Sequence, residues 1–571
     1  MNVLQKVLFL MAIAGPLFAQ GSTYPDYERL TQRLEKIAKD HPNLAQLENL
    51  GTSAGGRQIL VLKMGTGELE NKPAVLLVAG VNATDLTGTE ILMRFIASSI
   101  QAYGTNDSIT AMLDHTTFYI FPRVSPDATE NLFLTPAYQR TLTYSSMDLD
   151  KDGQKDEDGF DDLNGDGYIT SMRVSETAGT WIKDRDFPPL LKQAEPEKNE
   201  IGVYTLYREG FDNDGDGLLN EDEPGGTDFN KNFTYQYNLF EKGAGPYQIS
   251  EIESRAVADF SFSHNNIALV FSFSDNDNLV RPWESSLKTN SGDTEDRQKK
   301  PFTEVVSEDA PYFKSVSESF KSITGYNQTG RPAVAQGAFS EWAYYHFGRW
   351  SFSTPAWVPP AVSSAMQDSG QVLKPGEKKE NLKSAEKKEY TYEQRLWVYL
   401  QAGGRQDDFI SWKEIRHPDF PGKKVEVGGF KPLVYNNPPA DSLDGIFQTY
   451  QPFLVKLAEW LPRISIEELK TERLNENVYR LTFNVLNKGY LSSNPQAAAA
   501  NQWAPKVRVS LSLNEDQKLA AGKSLNFINC LSGSGGNKMF NWVIISKPGQ
   551  TVRIEAGSPM TGTIRKSVTL Q

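Results

Sequence analysis

The sequence predicts an α/β domain followed by a separate all-β unit, and three observations carry that expectation. From about residue 24 to 460, short apolar strands alternate with helical runs, the pattern of a sheet layered with helices. Beyond 461 the chain changes to short β-type segments separated by Gly, Asn, Ser and Pro, which points to a sandwich. Between residues 147 and 224, Asp- and Gly-rich loops interrupt the α/β rhythm. A chain of 571 residues with 39% hydrophobic content, including 30 Phe, 23 Tyr and 10 Trp, can fill cores in several domains.

The elements follow in order. Residues 1–19 join Lys6 to an apolar run from Val7 to Phe18 and a small residue at Ala19. That is the pattern of a secretory signal peptide, because the run is too short to cross a bilayer. No later segment offers ~20 continuous apolar residues. The mature chain is therefore expected to be soluble, without a membrane span, and secreted to a periplasm or the extracellular space. The α/β domain is expected over 20–463. Its helices are predicted over 27–39, 86–99, 250–260 and 339–347, and its strands over Gln58–Met64, Ala74–Val78, Thr117–Phe121 and Ile267–Phe273. Residues 372–389 hold six lysines among glutamates, read as a solvated loop or helix face. After a helical run at 446–461, segments 478–485, 506–513, 539–545 and 551–554 are expected strands of an immunoglobulin-like sandwich over 464–571.

Charge narrows the partners. A net charge of −13 argues against nucleic acid, whose phosphates need basic patches. Cys530 is the only cysteine, so no intrachain disulfide can form. Much of the acid lies in two stretches. Residues 212–223 read Asp-Asn-Asp-Gly-Asp-Gly-Leu-Leu-Asn-Glu-Asp-Glu, the twelve-residue calcium-loop pattern. Asp212, Asp214 and Asp216 offer carboxylates at alternate positions, Gly217 the sharp turn, Leu218 a backbone carbonyl, and Glu223 two oxygens at the end. Asp162, Asn164 and Asp166 repeat the first half of this pattern, but that copy ends in Arg173; Asp148 to Gly153 is a third, partial copy. Carboxylates this crowded repel one another unless a cation offsets them. Structural calcium is the expected cofactor.

The stretch Val78-Ala-Gly-Val-Asn-Ala-Thr-Asp85 lies between an apolar strand and a helix. Downstream come Phe121-Pro-Arg-Val-Ser-Pro-Asp127, Asp228-Phe-Asn-Lys-Asn-Phe233, Phe271-Ser-Phe-Ser-Asp-Asn-Asp-Asn-Leu279, and Glu341-Trp-Ala-Tyr344 followed by Ser351-Phe-Ser-Thr-Pro-Ala356. In this order the motifs resemble those of the zinc carboxypeptidase (carboxypeptidase A-like) family over roughly 24–462. The resemblance implies a mixed central sheet flanked by helices, with the acidic stretch as an insertion. It places Asn82, Asp85 and Ser274 at the family's zinc-ligand positions and Pro355 at that of its catalytic glutamate. Asn230 and Lys231 match the pair that grips a substrate's terminal carboxylate, and Arg140 lies near the position of an oxyanion-stabilising arginine.

These substitutions bear on the chemistry. Catalytic zinc takes three protein ligands, typically His and carboxylate, and leaves a fourth position for water. An amide and a hydroxyl are weak oxygen donors, and Asp85 is one methylene shorter than the family's glutamate. None of the five histidines, His41, His115, His264, His346 and His417, stands in a metal-ligand spacing. Zinc is not expected, and with Pro355 no side chain there takes the water's proton. Two readings stay open: a pseudoenzyme that binds peptides, protein C-termini or surface material, or an active metallocarboxypeptidase with an atypical metal site.

Overall fold

The computed structural model describes residues 24–146, 153–220, 223, 225–285, 303–362, 389–501 and 504–571. The expected signal peptide, the lysine-rich stretch up to residue 388 and the start of the third acidic repeat lie outside the described residues.

The apolar runs become strands because they bury nearly every side chain. In chain order the first twelve are β1 (Ala45–Thr52), β2 (Gln58–Met64), β3 (Ala74–Val78), β4 (Thr117–Phe121), β5 (Ser171–Ser175), β6 (Trp181–Lys183), β7 (Leu191–Gln193), β8 (Tyr204–Arg208), β9 (Ile267–Phe273), β10 (Trp350–Thr354), β11 (Phe409–Ile415) and β12 (Val425–Phe430). One six-stranded sheet runs β1-β2-β4-β3-β9-β10. Its β4, β3, β9 and β10 are parallel, while β1 and β2 are antiparallel to their neighbours. All residues of β3, β4, β9 and β10 are buried, as a sheet covered on both faces requires. The helices Tyr27–Asp40 and Ile252–Ser263 pack on β1, and Leu443–Glu459 packs on β3 and against Leu86–Ala102. The expected helices and strands of this region fall within two or three residues of these positions.

The acidic interruption is not all loop. Residues 171–208 form β5 to β8, which join β11 and β12 in a second six-stranded sheet, ordered β11-β12-β5-β8-β6-β7 and antiparallel throughout. The expectation of loops across 147–224 is corrected there. These strands are three to five residues long, and β5 pairs with a strand some 250 positions away, so no local period betrays them. Arg173 on β5 faces Glu426 on β12 in a buried ion pair of 2.9 Å. That explains the arginine that ends the second acidic repeat: it is a strand residue.

The C-terminal region is all β. Strands β13 (Ile464–Asn475), β14 (Val478–Asn487), β15 (Val507–Ser512), β16 (Lys518–Ala521), β17 (Leu525–Ile528), β18 (Asn537–Ile545), β19 (Thr551–Ser558) and β20 (Gly562–Thr569) form two four-stranded sheets, β13-β14-β18-β16 and β17-β15-β19-β20. Alternate residues of β14 point inward, and Phe483, Trp542, Val509 and Ile554 fill a core of their own.

This unit is sewn to the α/β domain. Leu491, Ala497, Ala498 and Met560 join the main core, and the Trp350 indole N–H donates to the Ser492 carbonyl at 3.3 Å. Asp309 is 1% exposed and accepts from the amides of Gln496 (2.9 Å) and Ala497 (3.1 Å) and from the Tyr344 hydroxyl (2.8 Å). It thus satisfies amides at the start of the helix Gln496–Asn501 across the junction. Replacing Asp309 with Ala leaves three donors unpaired, two of them buried, and is expected to cost about 2 kcal/mol. Chemical denaturation of both forms checks this; an unchanged midpoint would show that the tie carries no stability.

Candidate functional site

The parallel strands β3, β9 and β10 end together, and the segments that leave them meet outside the sheet's carboxyl edge, where open α/β sheets build clefts. After β3 the chain turns at Gly80, whose φ is +73° and where a side-chain carbon would lie 3.1 Å from the backbone of Arg123 and Val124. Only glycine suits that turn. It delivers Asn82, whose amide donates to the Asp275 carboxylate at 2.5 Å. Asp275, two residues past β9, also accepts from Arg331 at 3.1 Å. The Arg331 guanidinium lies over the rings of Tyr392 and Tyr435, 5.6 and 5.3 Å from their centroids. The Asn82 side-chain amide oxygen is buried and has no hydrogen-bond partner among the described residues.

The other residues singled out in the sequence take separate places. Asp85 caps the helix Leu86–Ala102, accepting from the Gly88 amide at 3.1 Å and also from the amides of Thr87 and Ala356. Burial pushes its carboxyl up to about 7 despite those bonds, and nearby Asp275 adds to the rise. Ser274 turns away from Asn82: its hydroxyl donates to Asn276 at 3.2 Å and accepts from Asn230 at 3.4 Å. Asn230 also donates to Asn276 at 2.6 Å and accepts from the Phe339 amide at 3.0 Å. Below them Glu341 meets Asn276 at 3.4 Å, and burial pushes its carboxyl up to about 7. Pro355 offers only its carbonyl, which accepts from the Tyr450 hydroxyl at 2.9 Å. Lys231 reaches Glu241 at 3.0 Å and the Lys242 carbonyl at 3.0 Å. Arg140 spends its donors on the carbonyls of Leu142, Thr143 and Gly225 at 2.6–2.7 Å.

A cavity of about 440 Å³ opens at this edge, lined among others by Asn82, Arg140, Arg208, Glu223, Asp228 and Arg331. Asp275 lines it too; Asp85, Ser274, Lys231 and Pro355 do not, and no histidine does. His264 contacts Lys63, His346 contacts Thr234 and His417 contacts the Gly210 carbonyl. Asp228, Asp275 and Arg331 were not singled out as site residues from sequence. Asp275 adjoins Ser274 and Asp228 opens the Asp-Phe-Asn-Lys motif, so both were in view; Arg331 lies in a Gly-Arg-Pro turn that carries no signal of its own.

The acidic loops fold alike. Asp212 accepts from the amides of Gly215, Asp216 and Gly217, Asp214 from that of Asp216, and Asp216 from that of Leu218. Likewise Asp162 accepts from the amides of Asp166 and Gly167, Asn164 from that of Asp166, and Asp166 from that of Tyr168. A buried carboxylate pins each loop at its second and ninth residues: Glu209 takes the Leu163 and Thr170 amides, and Asp158 takes those of Asn213 and Asn220. Glu209 precedes one loop and pins the other, and Asp158 does the converse. Carboxylate oxygens of Asp212, Asp214 and Asp216 lie within 4.8 Å of one another, the only such group of three among the described residues. Glu223 is not with them; it faces Arg208 at 3.6 Å and Lys242 at 3.5 Å.

A model of the zinc carboxypeptidases matches residues 30–144 and 161–358, more than half of the sequence. The chain belongs to the zinc carboxypeptidase family. This carboxypeptidase relative is 30% identical over 125 residues to a zinc carboxypeptidase of Saccharothrix mutabilis subsp. capreolus, covering 21% of the chain and 29% of that protein. It is 33% identical over 110 residues to carboxypeptidase B of Astacus astacus, covering 19% and 34%. The match thus spans about a third of each relative's length. Among solved structures, thrombin activatable fibrinolysis inhibitor aligns over 60% of this chain and 71% of its own, with 16% identity and a TM-score of 0.37. Carboxypeptidase A of Helicoverpa armigera aligns over 59% and 66%, with 15% identity and a TM-score of 0.34. Residues 463–569 match a domain of unknown function.

The donors in this carboxypeptidase relative do not fit zinc. Asn82 turns its amide hydrogens toward Asp275, Asp275 is held by Arg331, and Asp85 is spent on backbone amides. Among these three side chains the buried oxygen without a partner is the Asn82 amide oxygen, a hard and weak donor. The raised Asp85 carboxyl gives a pH test. The folded chain holds that proton to about 7 while an unfolded aspartate releases it near 3.8, so the folded state binds more protons between those values. Stability attributable to Asp85 therefore falls as pH rises through that window. Replacing Asp85 with Asn is expected to flatten the decline of melting temperature between pH 5 and 8; an identical slope in both proteins would contradict the assignment.

Proposed function

We propose that this member of the zinc carboxypeptidase family binds peptide or surface material in its cleft without hydrolysing it. One observation carries the reading: the Asn82–Asp275–Arg331 chain puts a guanidinium among the residues where the family's metal chemistry takes place. A positive group placed there repels a second cation and occupies the carboxylate that would ligand it. Pro355 offers no side chain to take a proton, so a water at the family's catalytic position lacks its usual base. Export agrees with the leader at residues 1–19, and no helix of the described residues is long and apolar enough to cross a membrane. The C-terminal β unit, read as immunoglobulin-like, serves as a spacer or second binding module.

The test is turnover. Purified mature protein, incubated with peptides of varied C-terminal residues, is expected to release no amino acid above a buffer control, with or without a zinc chelator. Release that stops on chelation would establish the active reading instead.

Calcium at the 212 loop is the second part of this reading, supported by three converging aspartates and a turn repeated at 162–168. Bound calcium stabilises the folded chain according to its concentration over Kd. Removing it with a calcium-selective chelator is expected to lower the melting temperature by several degrees, and replacing Asp212 and Asp216 together with Ala should abolish that response. A melting curve indifferent to chelation would remove calcium from the account.

A further inference from the structure

We infer that the cavity takes a small zwitterion, its ammonium group at Asp228 and its carboxylate at Arg331. The inference rests on the binding reading above and names the ligand class. Three guanidinium groups, of Arg140, Arg208 and Arg331, and three carboxylates, of Glu223, Asp228 and Asp275, face one space of about 440 Å³. That size lies within the range of roughly 300–1,000 Å³ used for small ligands. A purely anionic ligand would meet the three acids, and a purely cationic one the three guanidiniums. A molecule carrying both signs meets neither penalty.

The groups are not equally engaged. Glu223 has Arg208 and Lys242, and Asp275 has Arg331. Asp228 accepts from the Asn230 amide at 2.8 Å and from the Thr141 hydroxyl, but forms no ion pair among the described residues. Lys231 lends Asp228 favourable charge, but its ammonium is tied to Glu241 at 3.0 Å, so an arriving ammonium group supplies the direct partner that a walled-in carboxylate lacks. On the cationic side, Arg140 is caged by carbonyls, whereas Arg331 is 30% exposed with one nitrogen on Asp275 and its plane backed by two tyrosine rings. A guanidinium held flat with open N–H groups is suited to two-pronged contact with a carboxylate. Asp228 and Arg331 are thus the carboxylate without an ion pair among the described residues and the guanidinium set against two aromatic rings; Arg208, also open, faces Glu223 at 3.6 Å and donates to the Gln139 carbonyl.

The experiment is calorimetric titration of the full mature chain with L-alanyl-L-alanine, its N-acetyl form and its C-terminal amide. The free dipeptide is expected to bind, and either cap to weaken it at least tenfold. Asp228→Asn retains an acceptor for the Asn230 amide and is expected to bind free and acetylated dipeptide equally. Acetylated dipeptide binding the native chain as tightly as the free form would overturn the zwitterion inference while leaving carboxylate recognition standing. Amidated dipeptide binding as tightly as the free form would overturn the carboxylate half of the inference. No binding by any of the three overturns the zwitterion inference whole and leaves the non-hydrolytic reading to the turnover measurement. Should Asp228→Asn fail to fold, the three ligands on the native chain decide the matter.

Discussion

The pairing of Arg331 with Asp275 sets the charge at the carboxyl edge of the sheet, and the cleft is organised around it. Asp275 follows β9 and takes the Asn82 amide from the loop after β3, so two loops are joined through one carboxylate. Arg331 cannot hold that place alone. Its guanidinium rests on Tyr392 and Tyr435, which belong to the helices Tyr392–Ala402 and Pro432–Asn436. The second of these helices is followed by Asn437, whose side-chain oxygen accepts from the amides of Leu86 and Thr87 while its amide donates to the Thr84 carbonyl. The loop that carries Asn82 and Asp85 is therefore clamped from a segment 350 residues away.

That clamp depends in turn on the second sheet. Strands β11 and β12 lie between the two helices in sequence and are paired through β12 to β5, where Arg173 meets Glu426. The acidic loops stand immediately before β5 and after β8, each pinned by a buried carboxylate from beside the other. The three carboxylates of the 212 loop, within 4.8 Å of one another, repel at this spacing. Loop order, sheet position and the aromatic seat of Arg331 are thus linked through the strands β5, β8, β11 and β12.

Much of the α/β frame was legible because β2, β3, β4 and β9 are predominantly apolar and bounded by turn residues. The expected spans of these four coincide with the strands. β1 was missed since its exposed face reads as polar, and β13 and β20 because charged residues interrupt their apolar pattern. The strands β5 to β8 are too short for periodicity and find partners far along the chain. At the cleft, motif order brought Asn82, Asp228 and the Ser274 region into view, but not the direction of each side chain. Strand register decided that Asp275 rather than Ser274 meets Asn82, and register is invisible in a motif. Arg331 was hidden because its role comes from two tyrosines about 60 and 100 positions later, a contact made only by tertiary packing.

The central claim is that a fixed guanidinium has displaced the metal from this family's cleft. The measurement that bears on it most directly is the zinc content of mature protein dialysed against excess zinc and then washed, read by mass spectrometry beside the Asn82→Ala variant. The account predicts well under one zinc per chain in both proteins. One tightly retained zinc per native chain, lost in Asn82→Ala, would contradict it.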